Sequence, residues 1–445
     1  MRAAALFLMT CGLALTAGVS SARAADTLEQ FKQAKTDILP LLRSKEPQDR
    51  IEALKRLQHF PVEDSVRMIR ARVDDGDPRV SSEAVEILRA MNDNHEVCET
   101  LLVAAKRALH ARSSSGASAD ISILLSSKLQ STQRAVDQLL TDVATSKNGA
   151  AAIINLLDEM ATRRNPRDVV ALEHLAGTHV FENHFGVRRT IVYALTMIPS
   201  KESVGVLVGL LDRVGGEARA DAVEHLVQAT GENFGLDSAR WQEWWSQEKD
   251  AFTYPSVTTR AAYRGTLTEG ESGSYYEMPI FADKMVFVLD ISGSMGGPRI
   301  VAAKRELLAA IGGLREASQF GIVVFNDRAD CWQRQLVPAS DRNKQAAKAF
   351  VDGLGVGGST ASYSALDLAF TFDTEAIFFL SDGAPTTGTL IAPVDIVAAI
   401  TGINKLRRIS LYTIGVGAGF PGSPLDVFLK NLAEQNLGVY RRVDR

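Results

Sequence analysis

Five oxygen-bearing side chains toward the C-terminal end of the chain have the types and spacing to hold a hard cation. The first three lie in Asp290-Ile291-Ser292-Gly293-Ser294-Met295. The fourth is Thr360, in Gly357-Gly358-Ser359-Thr360, and the fifth is Asp382, in Ser381-Asp382-Gly383. Gly293 and the pair Gly296-Gly297 allow the tight backbone turn that brings Ser292 and Ser294 toward one point. Two carboxylates and three hydroxyls form an oxygen-only donor set. Such a set suits Mg²⁺, which keeps some of its waters, or Mn²⁺ or Ca²⁺ in its place. With neither His nor Cys among the five, zinc and copper are poor candidates.

Positioning these residues requires strands that end where the motifs begin. Lys284 to Asp290 is an apolar run that reads as a buried strand, and the spacing predicts a helix over Ile300 to Leu314. Further strands are expected at Phe320 to Phe325, Ala376 to Leu380 and Ile409 to Ile414, with a final edge strand over Gly438 to Arg441. Helices are expected at Lys344 to Leu354, Ala361 to Phe370, Pro393 to Leu406 and Pro424 to Glu434. Apolar strands alternating with helices predict an α/β, Rossmann-like domain with a doubly wound, mostly parallel sheet covered on both faces. Ligands of such sheets sit beyond the carboxyl ends of the strands, where all three motifs fall.

Together, these motifs resemble the metal-ion-dependent adhesion site of von Willebrand factor type A domains. That site has the order Asp-x-Ser-x-Ser, then Thr, then Asp, and all five positions are filled here, over a domain spanning residues 283–445. The resemblance implies that Asp290, Ser292 and Ser294 bind the ion through the first loop. Thr360 would bind directly in one state and through water in another, and Asp382 would be the more distant carboxylate. It further implies an open coordination position, filled by an acidic side chain of a protein partner, and coupling of the ion to movement of the last helix, here Pro424 to Glu434. A degenerate domain that keeps the residues but binds no metal is the bland alternative. Asp327 and Asp330 are read as solvated loop carboxylates rather than extra ligands.

Residues 25–250 read differently. Apolar positions recur at helical spacing without strand-like alternation. Val80, Ala84, Ile87 and Leu88 share their offsets with Val187, Ile191, Ala194 and Leu195, and with Ala218, Ala222, His225 and Leu226; Asp49, Ala53 and Leu57 match more loosely. The starts at Asp49 and Val80 lie 31 residues apart, as do those at Val187 and Ala218. A fixed period of this size marks stacked helical repeats. The pattern resembles short HEAT-like repeats, with Asp77-Pro78-Arg79-Val80 opening a second helix, and predicts an all-α solenoid; an irregular helical domain is the alternative. The phase is lost between about His110 and Asn165, around Ser113-Ser114-Ser115-Gly116. Trp241, Trp244 and Trp245 are expected to cover the open end of the stack. Residues 251–282, with Pro255, Gly265, Gly270, Gly273 and Pro279, read as a linker with short strands.

Met1-Arg2, the apolar run Ala3 to Val19 and Ala22-Arg23-Ala24 make residues 1–24 a secretory signal peptide, with an uncleaved anchor as the alternative. The mature chain, without Arg2 and Arg23, carries about −6. That charge is too small, and the basic residues too scattered, to point to nucleic acid. Cys98 and Cys331 allow no disulfide framework. All seven histidines precede residue 230, so the C-terminal domain cannot contain a Ser–His–Asp triad. No Walker-type phosphate loop or small-molecule substrate site is apparent. The expectation is an exported bacterial protein, periplasmic or secreted, that is not an enzyme. It would bind an acidic residue of a protein ligand through the cation, with the helical repeats as a second protein-binding surface. An accessory subunit of a remodelling or metal-insertion ATPase, or an enzyme with catalysis in the helical half, are the competing readings.

Overall fold

Period-3.6 burial governs the first part of the chain. The computed structural model describes residues 26–110, 117–145, 149–255, 273–417 and 419–443. The expected signal peptide, most of the expected linker and the loop Ser113–Gly116 fall outside the described residues. Helix α1 covers 26–42. It is followed by α2 (Pro47–Leu57), α3 (Glu63–Arg70), α4 (Pro78–Ala90), α5 (His95–His110), α6 (Ala117–Leu125), α7 (Gln130–Thr145), α8 (Gly149–Arg163) and α9 (Val169–Ala176). After these come α10 (His179–Asn183), α11 (Phe185–Met197), α12 (Lys201–Leu210), α13 (Gly216–Thr230) and α14 (Ser238–Glu248).

The chain divides into two compact units, one ending at Leu175 and one beginning at Ala176. In the first, α2 packs on α4, α3 on α5, α4 on α6, α5 on α7 and α6 on α8. In the second, α11 packs on α13 and α12 on α14. Packing against the next helix but one buries the apolar stripe that no single pair can cover. The repeated offsets are that stripe: Val80, Ala84, Leu88, Val187, Ile191, Leu195, Ala218, Ala222 and Leu226 are all buried. Helix α4 starts as its sequence predicts. Pro78 occupies its first turn and the Asp77 carboxylate accepts from Arg79 N–H at 2.9 Å. Gly231, at φ 77°, ends α13 in the left-handed conformation. Beyond it, Trp241 is fully buried, donates its indole N–H to Gly235 O at 2.9 Å and meets Phe234 edge to face. Among the described residues no helix is long and apolar enough to cross a membrane.

The α/β part begins with a small hairpin of β1 (Ser274–Tyr275) and β2 (Met278–Pro279), the only piece of the expected linker that forms strands among the described residues. The main strands are β3 (Lys284–Asp290), β4 (Gln319–Phe325), β5 (Ala329–Cys331), β6 (Val337–Pro338), β7 (Ala376–Ser381), β8 (Ser410–Val416) and β9 (Tyr440–Val443). The order is β5-β4-β3-β7-β8-β9, with β6 also paired to β4. Strands β4, β3, β7, β8 and β9 run parallel, while β5 and β6 run antiparallel to β4. The short β5 and β6 are additions to the sequence expectation, since three and two residues leave no periodicity to read. Helices α15 (Pro298–Gly312), α16 (Asp341–Asp352), α17 (Ser362–Ala369), α18 (Pro393–Arg407) and α19 (Pro424–Glu434) lie within a few residues of their expected positions.

Strand β3 shows why both faces must be covered. Met285, Phe287 and Leu289 join a core with Ala303 and Leu307 of α15 and Val351 of α16. Val286 and Val288 face the other way, into a core with Leu366 of α17, Ile400 of α18 and Phe428 of α19. From β3 the chain crosses to β4 on one side and later returns to β7 on the other. The carboxyl ends of β3 and β7 therefore flank the point where strand order reverses.

At the opposite, amino ends of the strands, α11 and α13 meet the sheet through buried charge. Glu217, in the first turn of α13, accepts from Ser410 Oγ at 2.8 Å and from Tyr412 Oη at 2.9 Å. Arg189 of α11 lies 3.6 Å from the same carboxylate and 2.7 Å from Asp221, and donates to Arg408 O at 2.8 Å. Glu375 accepts from Asp283 N–H at 3.0 Å. Burial, with Asp283 and Glu217 adding repulsion, pushes its carboxyl up to about 7. Gly216, at φ 55°, leaves no room for a Cβ beside Glu375.

Two outcomes follow from this packing. A Cβ on Gly438 would collide with Leu411 O, in the backbone of β8. Gly438→Ala should lower the stability of the chain by about 1–3 kcal/mol in denaturant unfolding, as overpacking does. Glu375 binds its proton more tightly folded than unfolded. Its contribution to stability is complete below pH 4.5 and is lost as pH rises through about 7. Glu375→Gln should therefore unfold at a higher temperature than the parent at pH 8, by an amount equivalent to about 1–3 kcal/mol, and match it near pH 4.5. A difference independent of pH would contradict the assignment.

Candidate metal centre

Asp290 is the last residue of β3, paired in register with Phe325 of β4. Its position puts the carboxylate above the sheet edge, and its side chain is fully buried there. One oxygen, Oδ1, accepts from Ser292 N–H at 2.8 Å. The other, Oδ2, accepts from Ser381 Oγ at 2.5 Å. Among the described residues no Lys or Arg pairs with it. Burial pushes the Asp290 carboxyl above its ordinary range, the hydrogen bonds from Ser292 and Ser381 oppose this, and the nearby charge of Asp382 adds to it.

The turn after β3 brings the two serines together, with Ser292 Oγ 3.1 Å from Ser294 Oγ. Ser294 Oγ donates to Asp382 Oδ1 at 2.7 Å. Asp382 follows the end of β7 directly, and its side chain is also buried. The second oxygen of Asp382 accepts from Arg299 Nη1 at 2.7 Å, and the same Nη1 donates to Ser294 O at 3.2 Å. Thr360 is buried at the start of the segment leading into α17. Its hydroxyl and that of Ser294 both border Gly383: a Cβ built there would lie 3.5 Å from Thr360 Oγ1 and 3.6 Å from Ser294 Oγ. All five expected residues therefore come to one place.

Three backbone ties hold the loops in register. Gly293 N–H donates to Gly358 O at 3.0 Å, Gly357 N–H to Ile291 O at 2.9 Å, and Ala361 N–H to Asn326 O at 2.8 Å. Thr360 is fixed from both sides, since its N–H donates to Thr386 Oγ1 at 2.9 Å and its carbonyl accepts from Thr386 N–H at 3.0 Å. Asp327 is exposed, as expected of a loop carboxylate, but it also accepts from Ser359 N–H at 2.8 Å and lies against Gly358, whose φ of 79° suits only glycine there. Asp330 accepts from Cys331 N–H at 2.8 Å and is exposed. Cys98 and Cys331, the cysteines among the described residues, are free thiols.

The sequence reading did not find the roles of Ser381, Thr386, Asp327 and Arg299. Ser381 stands inside a motif already singled out, and its position one residue before Asp382 was the available signal. The others act across loops distant in sequence, which spacing alone does not reveal. Among the described residues no three of His, Cys, Asp and Glu gather as a metal site. The present set has only two carboxylates, and its other donors are hydroxyls. A buried carboxylate that pairs with no Lys or Arg among the described residues, with the Ser381 hydroxyl on it and the Ser292–Ser294 pair on the next loop, fits a hard divalent cation.

Residues 283–442 match the family model for the von Willebrand factor type A domain. Among relatives, the chain is 30% identical over 174 residues to inter-alpha-trypsin inhibitor heavy chain H1 of Mesocricetus auratus. It is also 30% identical over 175 residues to heavy chain H4 of Homo sapiens. Each match covers 36% of this chain and 18% of the relative, so the chain aligns with less than a fifth of those proteins' length. Among solved structures, it is similar to a von Willebrand factor type A protein from Catenulispora acidiphila, at 24% identity and TM-score 0.32, covering 36% of this chain and 38% of that one. It is also similar to an aerotolerance-related membrane protein from Bacteroides fragilis, at 23% identity and TM-score 0.29, covering 36% and 92%. Residues 283–442 are a von Willebrand factor type A domain preceded by a helical region.

Proposed function

We propose that this chain is an exported, non-enzymatic protein-binding protein whose C-terminal domain holds a divalent cation and, through it, an acidic side chain of a protein partner. The observation that carries this reading is Asp290, buried at the end of β3, paired with no Lys or Arg among the described residues, and followed by a loop whose Ser292 and Ser294 hydroxyls lie 3.1 Å apart. Asp290, Ser292, Ser294 and Thr360 would hold the ion, with Asp382 acting through water. When bound, Mg²⁺ supplies residual positive charge and one exchangeable position for an external carboxylate.

The chain's own groups prepare that role. Ser381 and the Ser292 N–H hold Asp290 in one orientation. Ser294 turns its hydroxyl toward Asp382. The ties of Gly358 to Gly293 and of Gly357 to Ile291 keep the Thr360 segment against the β3 loop, and that of Ala361 to Asn326 holds it against the loop after β4. The next-but-one packing of the helices supports reading them as HEAT-like repeats that present a second surface to a protein. The apolar, basic-flanked N-terminal segment supports export to the periplasm or beyond.

Calorimetric titration of the full chain with MgCl₂ should give a single binding event that Asp290→Asn abolishes. Ser381→Ala, which frees one oxygen of Asp290, should weaken Mg²⁺ by about 10–100-fold, as loss of a hydrogen bond to a ligating group does. Pull-downs with the wild-type chain should recover partners in Mg²⁺ that are absent from chelator-treated and Asp290→Asn samples. Equal recovery from all three would defeat the proposal.

A further inference from the structure

Arg299 stands where helix physics does not favour it. It is the second residue of α15, in the first turn, where the positive end of the helix dipole disfavours a cation. Its guanidinium instead turns back over the metal centre. It bonds the buried Asp382 carboxylate at 2.7 Å and the Ser294 carbonyl at 3.2 Å. A third segment makes room for it. Gly417, which follows β8 and has φ 60°, would place a Cβ 3.1 Å from Nε and Nη2 of Arg299. The loop after β3, the residue after β7 and the end of β8 thus form a cradle for one guanidinium. Its side chain is 42% exposed, whereas that of Asp382 is fully buried.

We infer that Arg299 sets the charge of the metal centre, making the loaded site a net cation selective for carboxylates; this rests on the cation-binding reading above. Two carboxylates and a divalent ion sum to zero. The guanidinium adds one positive charge, which one carboxylate from a partner cancels. Asp327, which accepts from Ser359 N–H beside Thr360, is exposed on its loop, so water and salt screen its charge. With Oδ1 taken by Ser294 and Oδ2 by Arg299, Asp382 is also held as an outer carboxylate rather than a direct ligand. Arg299 therefore weakens the site for the bare ion and strengthens the loaded site for an acid. These opposite effects separate a charge-setting role from a merely structural one.

The test uses Mn²⁺ alone as the first probe and acetyl-Gly-Glu-Gly-amide as the second, on the full chain. Mn²⁺ binding is measured by calorimetry, and peptide binding to the loaded protein by water-proton relaxation. Arg299→Met should bind Mn²⁺ about three- to tenfold more tightly and the peptide several-fold more weakly than wild type, consistent with a change of one partly exposed charge. Arg299→Lys, which keeps the charge, should stay near wild type for both probes. Thermal melts of each variant confirm folding. Wild type that binds Mn²⁺, with Arg299→Met unchanged or shifted in the same direction for both probes, overturns the inference and leaves the cation reading standing. Wild type that takes up no Mn²⁺ removes both.

Discussion

The structure of the C-terminal domain turns on one electrostatic constraint: a carboxylate is taken out of water at the end of a central strand and receives only hydrogen bonds in return. A buried anion needs compensation that neutral donors supply only in part. Ser381 and the Ser292 N–H satisfy both oxygens of Asp290 yet leave its charge uncancelled. The surrounding loops, tied to one another by backbone hydrogen bonds, bring the hydroxyls of Ser292, Ser294 and Thr360 to the same end of the sheet. In the proposed reading, an external cation supplies the compensation that these hydrogen bonds leave out.

Strand order makes this arrangement available. Because β3 is flanked by β4 on one side and β7 on the other, the loops leaving β3 and β7 diverge over the same spot. Registry does the rest: Leu289 pairs with Leu380, so Asp290 and Ser381 emerge side by side and Asp382 comes one residue later. A slip by one residue would turn the alternate side chains of β3 to the wrong face and break both cores. The packing that selects the register of the sheet therefore also aligns the acids of the site.

The sequence disclosed elements wherever burial had a period. The five parallel strands, the helices between them and the repeated stripe of Val80, Val187 and Ala218 all follow from apolar spacing. That Asp290, Ser292, Ser294, Thr360 and Asp382 lie together was also legible, because Asp, Ser and Thr at strand ends form a pattern in the chain itself. What escaped were features created by tertiary contact. Strands β5 and β6 exist because β4 offers an edge to pair with, not because their residues favour it. Arg299 reads as an ordinary surface arginine until Asp382 and Gly417 arrive beside it. The meeting of α11 and α13 with the foot of the sheet, through Glu217 and Glu375, likewise has no signal within either segment.

The two ends of the sheet carry different attachments. Helices α11 and α13 grip it below β7 and β8 through Arg189 and Glu217, while the loops that carry Asp290 and Asp382 crown β3 and β7. A pulling force between a body held at the crown and the helices at the foot would run along the strand axes. Parallel neighbouring strands would then resist by sliding against many hydrogen bonds at once, the strong direction of a sheet, rather than unzipping one bond after another.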